Sequence, residues 1–159
     1  MTIAGTGHRP NKLGGYSEGA FRWLVLLLKK WLIEHPEVDE VISGMALGFD
    51  QALAQAAYEL SIPFTAAVPF EGQEAVWKPS DKARYFDLLN KAKRVIYVGS
   101  PGYSNAKMHN RNHWMVDNCD EVLTMYDGTP GGTSSCLKYA ESKGKKIHNI
   151  YELYKRAAI

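Results

Sequence analysis

Short apolar runs alternate with stretches of helical period from one end of this 159-residue chain to the other, and few architectures satisfy that alternation. The runs at 2–7, 38–43, 62–68, 94–98, 121–126 and 145–150 read as strands. Helices are expected at about 17–34, 49–60, 81–92, 105–118 and 132–142, with a short one near the C-terminus. Ser17 is the expected N-cap of the first helix and Pro36 its stop, while Phe21, Leu24, Leu28, Trp31 and Leu32 recur at helical spacing as a core-facing stripe. Strand and helix in strict turn predict an α/β fold: a single Rossmann-like domain, its mostly parallel sheet covered by helices on both faces. Each crossover is then right-handed.

Three of the expected strands end in glycine-bearing turns that lead into helices. The first is Gly5-Thr6-Gly7-His8-Arg9-Pro10, the second Ser43-Gly44-Met45-Ala46-Leu47-Gly48-Phe49-Asp50, and the third Asp127-Gly128-Thr129-Pro130-Gly131-Gly132-Thr133-Ser134-Ser135. In a parallel sheet such turns converge on one edge and build a single polar crevice, the usual ligand site of open α/β sheets. Gly131 and Gly132 let backbone approach an anion, with Thr133, Ser134 and the first helical amides as donors.

Composition removes several classes. A length of 159 residues suits one domain, and a formal net charge of +2 with short, scattered Lys and Arg clusters gives no footprint for nucleic acid, so none is expected as a partner. The only cysteines, Cys119 and Cys136, lack metal-ligand spacing, which predicts neither a disulfide scaffold nor a zinc site and suits a reducing cytoplasm. No signal-peptide pattern opens the chain, and the longest apolar stretch, 23–28, is too short to span a membrane.

Individual residues carry more specific expectations. Arg9, just past the first strand, suits a phosphate or carboxylate, with a salt bridge as the alternative. His8 beside it fits three roles: general acid or base, ligand hydrogen-bonder, or fixer of the loop. Asp50 begins the second helix, where a carboxylate either favours the helix dipole or reads a ligand hydroxyl or ring nitrogen. On the polar helix near 105–118, Arg111 and Asn112 are expected to reach the crevice and Trp114 and Met115 the core. His113 and Asp117 stand four apart but lack a third ligand, so no metal is expected. The segment 70–78 reads as a loop or short helix whose aromatics either cap a bound ring or simply pack.

Taken together, Gly5-Thr6-Gly7-His8-Arg9, Ser43 to Asp50, Arg111-Asn112-His113-Trp114-Met115-Val116-Asp117 and Gly131-Gly132-Thr133 resemble the YpsA-like branch of the SLOG superfamily over almost the whole chain. The resemblance implies a Rossmann-like domain for nucleotide-derived ligands, related to the LOG nucleotide hydrolases and to DprA, a single-stranded DNA binder. By it Gly131, Gly132 and Thr133 would hold a phosphate, Arg9 and Arg111 would add charge, and Asp50 would contact sugar or base. Gly7, His8, Gly44, Met45, Gly48, Asn112 and Ser134 complete the expected ligand set. Replacing Arg111 by Ala is expected to weaken binding and leave the domain folded.

LOG-type hydrolases carry Pro-Gly-Gly-x-Gly-Thr-x-x-Glu, and aligning its Gly-Thr pair with Gly132-Thr133 puts Cys136 where the catalytic Glu belongs. A thiol does not replace a carboxylate that stabilises an oxocarbenium ion or orients water. The first expectation is therefore a binder of a nucleotide or nucleotide-derived molecule, acting as a sensor or a sequestering protein of the sort that would suit a phage, with no cofactor and no membrane. A nucleoside 5′-monophosphate N-glycosidase is the enzymatic alternative, with Asp50, Glu71, Glu74 and Asp117 as its candidate carboxylates. A DprA-like single-stranded DNA binder is the third reading. A homodimer or higher homo-oligomer is expected from the relatives.

Overall fold

The computed structural model describes residues 1–157. Six strands, β1 (Thr2–Gly7), β2 (Glu40–Ser43), β3 (Phe64–Val68), β4 (Arg94–Tyr97), β5 (Glu121–Met125) and β6 (Lys146–Asn149), form one sheet. Every pairing is parallel and the order is β4-β3-β2-β1-β5-β6. The order reverses between β1 and β5, where the next strand in sequence leaves for the opposite side of the sheet. At such a switch point the loops beyond the strand ends diverge and leave a crevice.

The helices are α1 (Glu18–Ile33), α2 (Phe49–Glu59), α3 (Pro79–Lys91), α4 (Asn105–Asp117), α5 (Gly132–Ser142) and α6 (Tyr151–Ala157). Ser17 caps α1 as its sequence predicts, its hydroxyl accepting the Ala20 N–H at 3.1 Å. One short element was not foreseen, a 3-10 turn at Pro10–Lys12 directly after Arg9. Proline at its first position pre-sets the backbone angle, which holds Arg9 at a fixed exit from β1.

Two hydrophobic layers sandwich the sheet, and side-chain alternation along each strand feeds both. Ile3, Val41, Ala66 and Leu123 join α1, α2 and α3 on one side. Their neighbours Ala4, Ile42, Ala67 and Val122 join Met115 and Val116 of α4 and Leu137 and Ala140 of α5 on the other. Leu24, Leu28, Trp31 and Leu32 of the expected α1 stripe are buried, and Phe21 is half-buried against them. Cys119 and Cys136 are both free and buried. No helix among the described residues is long and apolar enough to cross a membrane.

Candidate functional site

All six strands point the same way, so the turns after β1, β2, β4 and β5 gather at one edge of the sheet. They enclose an open cleft of about 510 Å³. Its floor is Gly5, Thr6 and Gly7 at the end of β1; one wall is the start of α5 with Gly131, Gly132 and Thr133; the other is α4 with Met108, His109, Arg111 and Asn112. Arg9 and Asp50 complete it. Such a volume lies in the usual range for a small-molecule site, roughly 300–1,000 Å³.

The turn after β5 is built for close approach. Gly131 takes φ 147°, a value that disfavours any side chain, and caps α5 without a side-chain hydrogen bond. A Cβ at Gly131 or Gly132 would meet nothing within 4 Å, so the first-turn N–H groups of α5 face open space. Arg9 is exposed beside them, and among the described residues no hydrogen bond or ion pair holds its guanidinium.

Arg111 and Asp50 form the buried end of the cleft, with only 4% and 8% of their surfaces exposed. The Arg111 Nη1 donates to the Gly44 carbonyl at 2.6 Å and to the Ala67 carbonyl at 3.3 Å, and its Nε donates to Asn112 Oδ1 at 2.8 Å. Carbonyl dipoles rather than a carboxylate thus hold this charge. Asp50 Oδ2 accepts the Ala46 N–H at 3.3 Å, while Oδ1 has no partner among the described residues. Burial pushes the Asp50 carboxyl from its ordinary 3.8 up to about 6, against the opposing pull of Arg111 and Arg9. Gly44 sits between the two: a Cβ there would lie 2.5 Å from Arg111 Nη1 and 3.0 Å from Asp50 Oδ2.

His8 is 7% exposed and ties two turns together. Its Nε2 lies 2.8 Å from Asp127 Oδ1 and 3.0 Å from the Asp127 backbone N–H. The tautomer selects between them, since a protonated Nε2 donates to the carboxylate and an unprotonated one accepts the amide. The hydroxyl and backbone N–H of Thr129, with His8 and Lys12 adding to them, hold the Asp127 carboxyl well below the usual carboxylate range. Of the three roles open to His8, loop fixing is the one with contacts to support it.

Several expected site residues stand elsewhere. Met45 has φ 63° and no exposure; the turn swings its side chain into the core, so it does not line the cleft. Gly48, with φ 90°, serves a close approach of loops, because a Cβ there would lie 2.7 Å from the His8 carbonyl oxygen. Ser134 is turned away from the cleft and Ser135, one helical step on, lines it instead. Glu71 and Glu74 lie off the cleft, and Asp117 accepts the Tyr139 hydroxyl at 2.8 Å on the outer side of α4. Asp50 is therefore the single carboxylate lining the cleft among the described residues.

The segment 70–78 forms turns, and its aromatics pack: Phe70 against Tyr103 and Trp77 against Tyr85, both edge to face. The aromatic at the mouth of the cleft is Tyr103, 73% exposed and preceded only by turn signals in the sequence. Trp114 is half-buried and Met115 buried, both against the second hydrophobic layer. His113 stacks on Tyr139, and no group of three or more His, Cys, Asp or Glu residues that could hold a metal ion occurs among the described residues. Cys136 lies beneath the cleft, where burial pushes its thiol up to about 11.

A doubly wound parallel sheet with its polar cleft at the switch point defines a Rossmann-like α/β domain. The chain belongs to the YspA SLOG family, whose model matches residues 3–155. It is 35% identical over 129 residues to the SPbeta prophage-derived protein YoqJ of Bacillus subtilis, covering 71% of this chain and 75% of that one. Among solved structures it is similar to DNA processing protein A of Streptococcus pneumoniae, with a TM-score of 0.66 and 19% identity over 92% of this chain. The match spans 48% of that protein's length. DNA processing protein A of Helicobacter pylori, described for its single-stranded DNA binding mode, gives a TM-score of 0.65 at 15% identity, covering 92% of this chain and 63% of that one. Likeness at this level is likeness of fold.

Proposed function

We propose that the cleft binds a nucleotide or nucleotide-derived small molecule through its phosphoryl group, in a cytoplasmic protein that senses or sequesters that molecule. The observation that carries this reading is the juxtaposition of Arg9, unpaired among the described residues, with the N-terminus of α5 at Gly131–Gly132, which no side chain caps. A phosphoryl group there would meet backbone N–H donors, the positive end of a helix dipole and a planar cation. Thr133 and Ser135 add hydroxyls, and Asn112 offers its amide N–H groups because its oxygen is committed to Arg111. Asp50 Oδ1 then accepts from a sugar hydroxyl or a ring N–H.

An enzymatic reading rests on one residue. Among the described residues Asp50 is the sole carboxylate lining the cleft, and a value near 6 suits a general acid or base close to neutral pH. N-Glycosidic cleavage of a nucleoside 5′-monophosphate is the reaction it would serve, in place of the carboxylate missing at Cys136.

Incubating the purified protein with a nucleotide panel, followed by mass analysis of the supernatant and the denatured protein, tests both. An intact nucleotide retained by wild type and lost by Arg9→Ala is the result expected for a binder. Free base in the supernatant, abolished by Asp50→Asn, establishes the glycosidase. If no nucleotide is retained or cleaved, while oligonucleotides bind with steep salt dependence, the fold's kinship with DNA processing protein A becomes the better guide.

A further inference from the structure

A second chamber of about 320 Å³ lies on the far side of the phosphate turn from the main cleft. The two chambers share Gly7, Arg9, Gly131, Gly132 and Thr133, so the proposed phosphoryl site is a partition rather than a dead end. Beyond it the second chamber adds His8, Asn11, Lys12 and Thr129. A nucleoside monophosphate would fill the main cleft with its nucleoside and the partition with its phosphate, leaving this chamber empty.

The second chamber has groups of its own to offer a ligand. His8 is more than nine-tenths buried and lines it, and with Nε2 committed to Asp127 its Nδ1 has no partner among the described residues. Lys12 reaches over the chamber to Thr129 Oγ1, with its Nζ 3.7 Å from Asp127 Oδ2. Arg9, at the partition, faces both chambers. A cation, an imidazole nitrogen and a guanidinium unpaired among the described residues describe a place for an anionic or hydroxyl-bearing group continuing from the phosphate.

Resting on the phosphoryl-site reading, we propose that the ligand is a dinucleotide bridged by a phosphodiester or pyrophosphate, with one nucleoside against α4 and the other in the chamber above Pro10–Lys12. A nucleic-acid strand has the same bridging chemistry but needs a row of stacking platforms. Tyr103 is the exposed aromatic of the main cleft, and among the described residues the second chamber has no Phe, Tyr or Trp in its lining, which favours the small ligand.

Calorimetric titration of the full chain with adenosine and guanosine 5′-monophosphates, diadenosine and diguanosine diphosphates and a short oligothymidylate tests the proposal. At least one dinucleoside diphosphate should bind about tenfold or more tighter than its monophosphate, since the second nucleoside binds at the effective concentration set by the first. Asn11→Trp, which fills the second chamber from an exposed position, should bring that ratio down to near one; Lys12→Ala should lower it independently. A monophosphate that binds as tightly as either dinucleotide overturns the second subsite and leaves the nucleotide reading standing. Absence of binding by every nucleotide removes both, and tighter binding of the oligothymidylate replaces the dinucleotide with a strand.

Discussion

His8 Nε2 lies 2.8 Å from Asp127 Oδ1, and this contact, with those of Lys12 to Thr129 and Asp127, clamps the turn after β1 to the turn after β5 across the switch point of the sheet. Both turns carry proposed ligand groups, so their spacing fixes the width of the phosphate site. Asp127→Ala should leave the two hydrophobic layers intact while amide exchange at 128–133 accelerates. Nucleotide affinity should fall together with that protection; an unchanged exchange pattern would show the clamp to be redundant.

Arg9 is the simplest cation to remove, because it is exposed and without a partner among the described residues. Arg9→Ala should alter unfolding free energy by no more than about 0.5 kcal/mol. Loss of a charged hydrogen bond of roughly 1.5–3 kcal/mol should weaken nucleotide binding by about tenfold to a hundredfold. Denaturant unfolding and calorimetry on the same preparation separate the two effects.

Arg111 is different: its removal is expected to weaken binding and leave the domain folded, and its burial adds a cost in stability. Arg111→Ala would take the guanidinium from the carbonyls of Gly44 and Ala67, leaving Gly44 only the longer contact from Gln73 Nε2 at 3.5 Å, and open a void. A loss of roughly 2 kcal/mol or more should appear in urea unfolding. A variant as stable as wild type would mean that water fully replaces the guanidinium.

Gly44→Ala should damage both stability and binding. The added Cβ would stand 2.5 Å from Arg111 Nη1 and 2.8 Å from its Cζ, and the guanidinium is anchored by the carbonyl of Gly44 itself. Overpacking of this kind costs about 1–3 kcal/mol. Thermal unfolding with and without nucleotide reads both losses, and full activity at full stability would contradict the placement of Arg111.

Asp50 should give stability a pH signature. Its folded value of about 6 exceeds the ordinary 3.8, so the folded protein takes up this proton first as pH falls. The cost of the buried charge is thus fully present above about 6 and is relieved between 6 and 3.8. A difference of that size corresponds to roughly 3 kcal/mol. Asp50→Asn should be the more stable protein near neutral pH, with its advantage shrinking toward about pH 4; a gap that does not vary with pH would rule out a protonated Asp50.

The fold was legible because hydrophobic period survives in every element: each expected strand and helix is present, with ends displaced by a residue or two where fraying and turns blur the pattern. The site was legible in its turns but less so in its side chains. Whether Ser134 or Ser135 faces the cleft depends on a step of about 100° around α5, which glycines ahead of the helix do not fix. Met45 sits in a glycine-bearing turn yet points inward because its own backbone adopts a positive φ that the sequence does not advertise. Asp117 and Glu71 were candidates by chemistry alone, and only tertiary placement separates them from Asp50. The carbonyls that hold Arg111 belong to backbone, and backbone partners leave no mark in side-chain chemistry.

The pairing of β1 with β5 joins Ile3 to Glu121 and Gly7 to Met125, and it has a temporal consequence. During synthesis the ribosome must have released the chain past Ser135 before both walls of the cleft exist at once. A nascent or truncated product that ends earlier would have His8 and Arg9 with nothing opposite them. Capture of a ligand therefore belongs to the finished domain, and the molecule it binds cannot act as a template for the first steps of its folding.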